Sequence, residues 1–394
     1  MPINRVPPGS QSSLREANRA RIVDSIKRLG AMTQVELSDL TGLSPATVSI
    51  IVNELVASGI VTTSHVTRSG RRALQVELSR GLGLVAGLHF STRTLRVTLG
   101  DASGNVVSQQ RLPLPADHRH DTDLDRAAQL LADMQESIGG RSEELLGAGL
   151  AICAPYNAES DSLSVPGLLR GWDEVSICEA LSKRIGKPVV ADNDSNLAML
   201  AEARFGKAKD VGSAVYVSIG HGIGAGLCLN GEIVRGAKGT AGEIGHIKVV
   251  ENGELCKCGN RGCLETVVSA DALAGQLRDA IGAVQLRDVI SMAKAGDLGA
   301  SRVIADAAGY TGRALSALCN VFDPEIIIIG GELASAGGIF TAPLEAALER
   351  YTLHNPLHPP RVEVTELDEF IACKGAMSYA VESVGLPAQL RAVA

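Results

Sequence analysis

The chain has 394 residues, 45% of them hydrophobic and 21% charged, a composition that can bury a core and excludes a disordered protein. No apolar run reaches about 18 residues, and the N-terminus lacks the basic-then-apolar order of a signal peptide. We therefore expect a cytoplasmic protein without a membrane span. The net charge of -7 is uneven: residues 1–80 carry ten Lys and Arg against six Asp and Glu, as expected of a nucleic-acid-binding segment.

The N-terminal segment predicts two helices joined by a short turn. Apolar residues recur at helical spacing over residues 14–29, and Gly30 ends this first helix. Thr33 and Glu36 form a candidate capping box at the start of a second, short helix that ends at Gly42. In this second helix we expect three apolar side chains to face the interior: Val35, Leu37 and Leu40.

A third helix and a hairpin complete the pattern of a winged helix-turn-helix. Ser44 is the candidate N-cap of this helix and Pro45 occupies its first turn. Its buried stripe is predicted to be Val48, Ile51, Val52 and Leu55. The third helix would enter the major groove, while the arginine-rich hairpin that follows would contact phosphates or the minor groove. The candidate DNA contacts are therefore Ser44, Ala46, Thr47, Ser49, Asn53, Arg68, Arg71 and Arg72.

A three-helix module for protein interaction is the alternative to DNA binding for this segment. The polar outer face of the third helix and the arginines of the hairpin favour DNA. The rest of the chain alternates strands and helices, which predicts an α/β fold with ligands at the carboxyl ends of strands. Strands are expected over residues 84–89, 95–99, 147–154, 187–191, 214–219 and 325–329, and mostly helix over residues 271–320.

Two of the predicted strand ends carry residues suited to ligand binding. Asn193 and Asp194 follow one strand, where a carboxylate can take a proton from a sugar hydroxyl; an Asp at such a place is as often a helix cap. We expect a helix over residues 197–205 after them. A glycine-rich run, residues 220–226, follows another strand, where backbone amides can approach a phosphate; such runs also form plain turns.

Cysteine placement separates a metal cluster from core thiols. One imidazole and three thiols form a set suited to a closed, tetrahedral structural zinc ion: His246, Cys256, Cys258 and Cys263. Unligated thiols are the alternative. The other cysteines stand among apolar neighbours and are predicted to lie in the core: Cys153, Cys178, Cys228, Cys319 and Cys373.

Together these motifs resemble the ROK family of repressors and sugar kinases, most specifically over residues 220–265. That span contains Gly-His-Gly-Ile-Gly-Ala-Gly, Gly-Thr-Ala-Gly-Glu-Ile-Gly-His and Cys-Lys-Cys-Gly-Asn-Arg-Gly-Cys-Leu-Glu. The resemblance implies an actin/hexokinase-like domain of two lobes with a sugar in the cleft between them, behind a winged helix as in the repressor branch. The implied domains are a winged helix over residues 1–80, a small lobe over 83–192 with a C-terminal helix at about 372–390, and a large lobe over 193–371.

The resemblance also implies particular site residues. The family's sugar contacts correspond to Asn193, Asp194, Glu243, His246 and Glu265, and Asp194 stands where the kinases keep their catalytic base. The kinases open this domain with a Gly-x-Asp-x-Gly-Gly-Thr phosphate loop. Residues 87–93 have His89 in place of that Asp, and Ser91-Thr92 in place of the glycine pair, so side chains would block a close approach to phosphate.

The sequence therefore favours a sugar-responsive repressor without enzyme activity. Its expected partners are double-stranded operator DNA and a sugar or sugar phosphate, with structural zinc, in a homodimer or dimer of dimers. The sugar would close the lobes and change the spacing of paired winged helices. One alternative is an ATP-dependent hexose kinase, or a kinase that also regulates, with Asp194 as base; another is a scaffold whose oligomerisation responds to sugar.

Overall fold

The computed structural model describes residues 11–68, 71–115, 119–169, 171–173, 175–353 and 360–383, without the side chains of residues 11–13, 68, 71 and 142. The helices are α1 (Gln11–Leu29), α2 (Gln34–Thr41), α3 (Pro45–Ala57), α4 (His120–Ser137), α5 (Ile177–Ile185), α6 (Asp194–Phe205), α7 (Glu265–Val268), α8 (Ala270–Ile281), α9 (Leu286–Lys294), α10 (Leu298–Phe322), α11 (Gly338–Tyr351) and α12 (Ile371–Ser383). The strands are β1 (Met32–Thr33), β2 (Val61–Arg68), β3 (Arg71–Leu78), β4 (Leu84–Phe90), β5 (Thr94–Asp101), β6 (Val106–Pro113), β7 (Leu145–Ile152), β8 (Tyr156–Asn157), β9 (Ser162–Leu163), β10 (Val189–Asn193), β11 (Ser213–Ile219), β12 (Ile223–Leu229), β13 (Glu232–Ile233), β14 (Ile326–Gly330) and β15 (Arg361–Val364).

The head, which we define as α1–α3 with β1–β3, has the predicted winged helix-turn-helix arrangement. Its sheet has the order β1-β3-β2, with β2 and β3 forming the hairpin. The capping box of Thr33 and Glu36 is confirmed, and Ser44 caps α3 by accepting a hydrogen bond from the Thr47 amide at 3.2 Å. The predicted stripe of α3 is buried: Val48, Ile51, Val52 and Leu55. Local sequence signals therefore determine where these two helices begin and which side of α3 is buried.

The inward orientation predicted for α2 is correct only for Leu37. Val35 and Leu40 are 66% and 53% exposed. The helix is about two turns long, and its buried side is formed by Leu37 and Thr41, one turn apart. At about 100° per residue, Val35 lies nearly opposite Leu37, so the narrow buried face of so short a helix excludes it.

Among the described residues, no single helix has the length and apolar character needed to cross a bilayer; α2 and α3 together meet that test, but they are bent by 116° at the turn between them.

The body, which we define as β4 to α12, contains two five-stranded sheets. The first has the order β10-β7-β4-β5-β6, with β4, β7 and β10 parallel. Its core includes Trp172 and Phe90, whose ring centroids are 5.0 Å apart. The second has the order β13-β12-β11-β14-β15, and helices α8–α11 pack with it into a second core. The observed strands confirm the predicted α/β class and differ from the predicted bounds by a few residues.

Helices α6 and α12 pack against each other between the two sheets. α12 lies on β4 and β7 of the first sheet, and α6 lies on β11 and β12 of the second. The approach is close because glycines stand at the contacts. A Cβ at Gly149 would lie 1.9 Å from the Ala376 carbonyl oxygen of α12, and one at Gly375 would lie 1.7 Å from the Leu197 carbonyl oxygen of α6. The backbone of α12 therefore packs closely on the backbones of β7 and α6.

Candidate ligand cleft, metal centre and DNA-binding surface

The N-terminus of α6 lies where β7 and β10 end. Asn193 caps the helix: its Oδ1 accepts from the Ser195 amide at 2.9 Å and the Asn196 amide at 3.3 Å. Its Nδ2 donates to the Ala154 carbonyl at 3.1 Å. With this cap the helix begins at Asp194, three residues earlier than predicted. Asp194 is thus placed at a helix N-terminus, where the backbone dipoles favour a negative charge.

His89, at the end of β4, contacts Asp194 directly. Its Nε2 lies 3.2 Å from Asp194 Oδ2, and the two side chains are 13% and 23% exposed. The other ring nitrogen, Nδ1, is buried without a hydrogen-bond partner among the described residues. Because a carboxylate only accepts hydrogen bonds, His89 Nε2 is the donor in this contact. One oxygen of Asp194 is therefore held by a residue of the first sheet.

An ion pair that the sequence analysis missed joins the two sheets beside this point. Asp192 of β10 is 2% exposed and accepts a hydrogen bond from Arg235 Nε at 2.6 Å. Arg235 follows β13 of the second sheet, and its guanidinium also lies 5.2 Å from the ring centroid of Tyr379 in α12. In the sequence, the only indication of this ion pair was the acidic run from residue 192 to residue 194. The partner in the second sheet was visible only after folding.

Two further carboxylates lie within electrostatic range of Asp194. Burial, together with the negative charges of Asp194 and Glu265, raises the pKa of Glu243 to about 7. Glu265 accepts a hydrogen bond from the Ile223 amide at 3.3 Å and pairs with Lys257 Nζ at 3.0 Å. The structure therefore brings together acidic residues that are far apart in sequence. It adds Lys257, which was not among the predicted site residues.

The predicted metal ligands form a compact set. One ligand atom each from His246, Cys256, Cys258 and Cys263 lies within 4.8 Å of the others. The Sγ atoms of Cys258 and Cys263 are 3.7 Å apart, and His246 Nδ1 is 3.5 Å from Cys256 Sγ. Tetrahedral zinc with bonds of about 2.3 Å to sulfur and about 2.0–2.1 Å to nitrogen requires edges of about 3.8 and about 3.6 Å. The donor set can hold a metal ion, and these two distances match the edges of a tetrahedral zinc site.

His246 connects the metal cluster with the carboxylates. Nδ1 of His246 faces the thiols, while its Nε2 lies 3.7 Å from Glu243 Oε2.

The loop that carries the cysteines closes tightly at Gly262, whose φ is +71° and where a Cβ would lie 1.7 Å from the Val250 carbonyl oxygen. Burial raises the pKa of Cys263 to about 12, so this group needs a bound cation to become a thiolate at neutral pH.

In the turn between β4 and β5, a side-chain hydroxyl of the turn accepts hydrogen bonds from the backbone amides of the same turn. Ser91 Oγ accepts from the Thr94 amide at 3.1 Å and lies 3.5 Å from the Arg93 amide. The Ser91 hydroxyl thus occupies the backbone donors that an anion would need at this turn. In the glycine-rich run at 220–226, Gly226 allows β12 to pack closely on α6. A Cβ at Gly226 would lie 2.2 Å from the Ser195 carbonyl oxygen of α6.

The predicted DNA contacts of the third helix lie on one accessible surface. Ala46 and Asn53 are exposed on α3, Ser44 is exposed just before it, and Thr47 and Ser49 are half-buried. In the hairpin Arg72 is exposed; Arg68 and Arg71 pair in the register of β2 and β3, and their side chains lie outside the described residues. Ile50, which was not among the predicted contacts, is 56% exposed on the same surface.

The head contacts the body at the C-terminal end of α6. Arg204 has a side chain only 6% exposed, donates from Nη1 to the Lys27 carbonyl of α1 at 3.0 Å, and pairs through Nη2 with Glu382 of α12. Arg28 of α1 pairs with Glu232 of β13 nearby. Burial lowers the pKa of Arg204, opposed by the charge of Glu382. No sequence motif marked these residues.

Residues 85–383 match the ROK family, and residues 16–72 match the MarR family. The chain is 26% identical to a putative xylose repressor of Caldicellulosiruptor sp. (strain Rt8B.4), covering 95% of this chain and 98% of that protein. It is 27% identical to the DNA-binding transcriptional dual regulator NagC of Escherichia coli (strain K12), covering 88% and 87%.

Solved structures confirm the fold. A ROK family transcriptional regulator, described as a homologue of the E. coli Mlc protein, superposes with a TM-score of 0.77 at 24% identity, covering 96% of this chain and 99% of that one. A ROK family glucokinase from Streptomyces griseus superposes with a TM-score of 0.68 at 23% identity, covering 75% and 99%. The fold is therefore that of a winged helix followed by a domain shared with sugar kinases.

Proposed function

This chain belongs to the ROK family, and on that basis we propose that it is a DNA-binding repressor of carbohydrate genes that responds to a sugar or sugar phosphate. The observation that carries the proposal is α6, which begins at Asp194 in the candidate ligand cleft and places Arg204, near its C-terminal end, against the head. Relatives named as a xylose repressor and as NagC support a role in sugar-dependent transcription.

The proposed sugar contacts are Asn193, Asp194, Glu243, His246 and Glu265. Their shared electrostatic environment supports this assignment, because carboxylates at close range bind vicinal hydroxyls in place of water. Asn193 acts mainly by positioning Asp194, since its amide caps α6. Zinc at the Cys/His cluster would fix His246, and through it Glu243, in place; its role is structural, because the donor set is complete without an open position.

We propose that the protein lacks kinase activity. In the place of a phosphate-binding loop, the Ser91 hydroxyl occupies the backbone amides of the β4–β5 turn. His89 stands beside Asp194 and hydrogen-bonds one of the two oxygens of the carboxylate that a kinase would use as its base. The glycines retained in β12 are explained by their packing against α6. Asp194 therefore serves as a binding residue in this proposal.

The proposed response runs through α6. A sugar that contacts Glu243 and Asp194 of the large lobe, where Asp194 is hydrogen-bonded to His89 of the first sheet, would favour one relative placement of the lobes. Because α6 is a continuous helix packed on α12, a displacement of α6 would move Arg204 and, with it, the C-terminal end of α1. The head would change its orientation relative to the body, and in a dimer this alters the spacing between the two α3 helices.

The remaining assignments follow the same proposal. The packing of α12 on β4 and β7 supports a small lobe of residues 83–192 completed by the C-terminal helix, with the large lobe over 193–371. A homodimer or dimer of dimers would bind paired half-sites about one helical turn apart, in the cytoplasm. The candidate DNA contacts of α3 and the hairpin would lie at each half-site.

The test measures operator binding and sugar binding in the same protein. Duplex DNA bound by the full chain is selected from a random pool, and its affinity is measured by fluorescence anisotropy with and without a panel of sugars and sugar phosphates. We expect at least one ligand to raise the thermal stability and to change DNA affinity. If every ligand at saturating concentration left DNA affinity unchanged, the proposal of a sugar-responsive regulator would be wrong.

A second assay separates the repressor from the kinase. Hexoses are incubated with the protein and Mg-ATP, and sugar phosphate is measured directly. We expect no turnover above that of the Asp194→Asn variant. Turnover that this substitution abolishes would show a kinase or a kinase that also regulates.

A further inference from the structure

The outer face of α3 has an apolar centre, which the candidate DNA contacts of this helix do not explain. Ala46, Ile50 and Asn53 are spaced by four and three residues, so they lie on one side of the helix. All three are exposed, and Ile50 is 56% exposed. The opposite side of α3 is buried in the head.

The surroundings of Ile50 favour nucleic acid as the molecule that covers it. The residues beside it on this face have short side chains, Ala46 and Ser49, so the helix can approach a groove closely. The head carries an excess of basic residues, and Arg72 of the hairpin is exposed. The basic charge of the head and of the hairpin therefore complements DNA beside this face, in agreement with the place of α3 in the helix-turn-helix.

We propose that Ile50 contacts the 5-methyl group of thymine in the major groove and selects T·A base pairs in each half-site. The thymine methyl is the apolar feature of the major-groove edge, and apolar side chains recognise it by van der Waals contact. This inference rests on the proposed DNA-binding function, because it concerns the same helix.

Helix geometry extends the assignment to a neighbouring base pair. Ile50 and Asn53 are separated by about 4.5 Å along the helix axis, and base pairs are stacked about 3.4 Å apart. Asn53 is therefore placed to reach a base pair next to the one that Ile50 contacts. An Asn side chain forms paired hydrogen bonds with adenine. The expected half-site contains a thymine adjacent to an adenine.

The experiment replaces single thymines by deoxyuridine, which lacks only the methyl group, in a duplex selected with the full chain. We expect one or two positions per half-site at which this change weakens binding by about fourfold, the scale of one buried methylene. The Ile50→Ala variant should bind the thymine and uracil duplexes equally, and Ile50→Val should fall between. Val56→Ala, at the C-terminal end of α3, is the matched control and should keep the full uracil effect.

Three results would overturn the inference. The first is an uracil effect of equal size in Ile50→Ala and the unaltered protein, with both folded by thermal denaturation. The second is the absence of any uracil effect in the unaltered protein. The third is a changed oligomeric state of Ile50→Ala with an unchanged uracil effect, which would make this face a protein contact. A chain that selects no duplex at all would overturn both this inference and the proposed function.

Discussion

Asp194 and Arg204 lie near opposite ends of the same helix, α6, about 15 Å apart along its axis. Asp194 contacts His89 of the first sheet at 3.2 Å, and Arg204 contacts the backbone of Lys27 in the head at 3.0 Å. The candidate ligand cleft and the DNA-binding head are thus connected through one continuous element.

Replacement of Arg204 by Leu is expected to separate sugar binding from DNA release. The variant loses the contacts with Lys27 and Glu382 but leaves the N-terminus of α6 intact, so calorimetry should show an unchanged affinity for sugar. The effect of sugar on DNA affinity, typically about 5- to 150-fold in coupled systems, should fall to less than about twofold. Arg184→Leu is the control, since Arg184 pairs with Asp125 away from the head. An undiminished sugar response in Arg204→Leu would contradict the route through α6.

Replacement of Cys258 by Ser is expected to remove metal and sugar binding together. A hydroxyl is a poor substitute for a thiolate on zinc, and without the ion His246 no longer holds its place beside Glu243. Elemental analysis should find about one zinc per chain in the unaltered protein and much less in the variant, while operator binding without sugar persists. Cys178→Ser, at a thiol that contacts Tyr156 outside the cluster, should change neither property. Retained sugar affinity in metal-free protein would refute the link.

Replacement of Glu243 by Gln is expected to stabilise the sugar-free protein in a pH-dependent manner. The folded-state pKa of about 7 lies above the ordinary value of 4.5, so the protonated carboxyl contributes stability that is complete below about pH 4.5 and lost as the pH rises through 7. Gln resembles the protonated form at every pH. Its advantage in the free energy of unfolding should be small at pH 5 and about 2 kcal/mol at pH 8.

The same Glu243→Gln variant should bind sugar more weakly, because a charged acceptor is lost. Urea denaturation at the two pH values and calorimetry of sugar binding measure both effects. Glu179→Gln, at an exposed residue paired with Lys183, is the control and should show little pH-dependent change. Equal stability of Glu243→Gln and the unaltered protein at pH 8 would show that burial does not penalise this carboxylate.

Replacement of Gly149 by Ala is expected to destabilise the body by about 2–3 kcal/mol. The added Cβ would lie 1.9 Å from the backbone oxygen of Ala376 and would push α12 away from the first sheet. Gly275→Ala is the matched substitution on α8, where the added Cβ meets nothing within 4 Å. That change should raise stability by about 1 kcal/mol, because Ala favours the helix. Similar melting temperatures for the two variants would contradict the close packing of α12.

Short-range chemistry made much of this protein predictable from its sequence alone. The capping box of Thr33 and Glu36 and the Ser44 cap were visible because each depends on residues three apart. The buried stripe of α3 followed from helical periodicity, and the Cys/His set followed from the close spacing of its thiols and the ligand preferences of zinc. The family resemblance rested on motifs of the same local kind.

The tertiary structure decided the relationships between residues distant in sequence. The contact of His89 with Asp194, the ion pair of Asp192 with Arg235, and the burial of Arg204 at the head each join elements that no periodicity connects. The short α2 helix shows the same limit, because its apolar pattern allowed several inward faces and the packing of the head chose one. Local propensity and spacing depend on the chain near each residue, whereas burial and charge pairing depend on which elements meet.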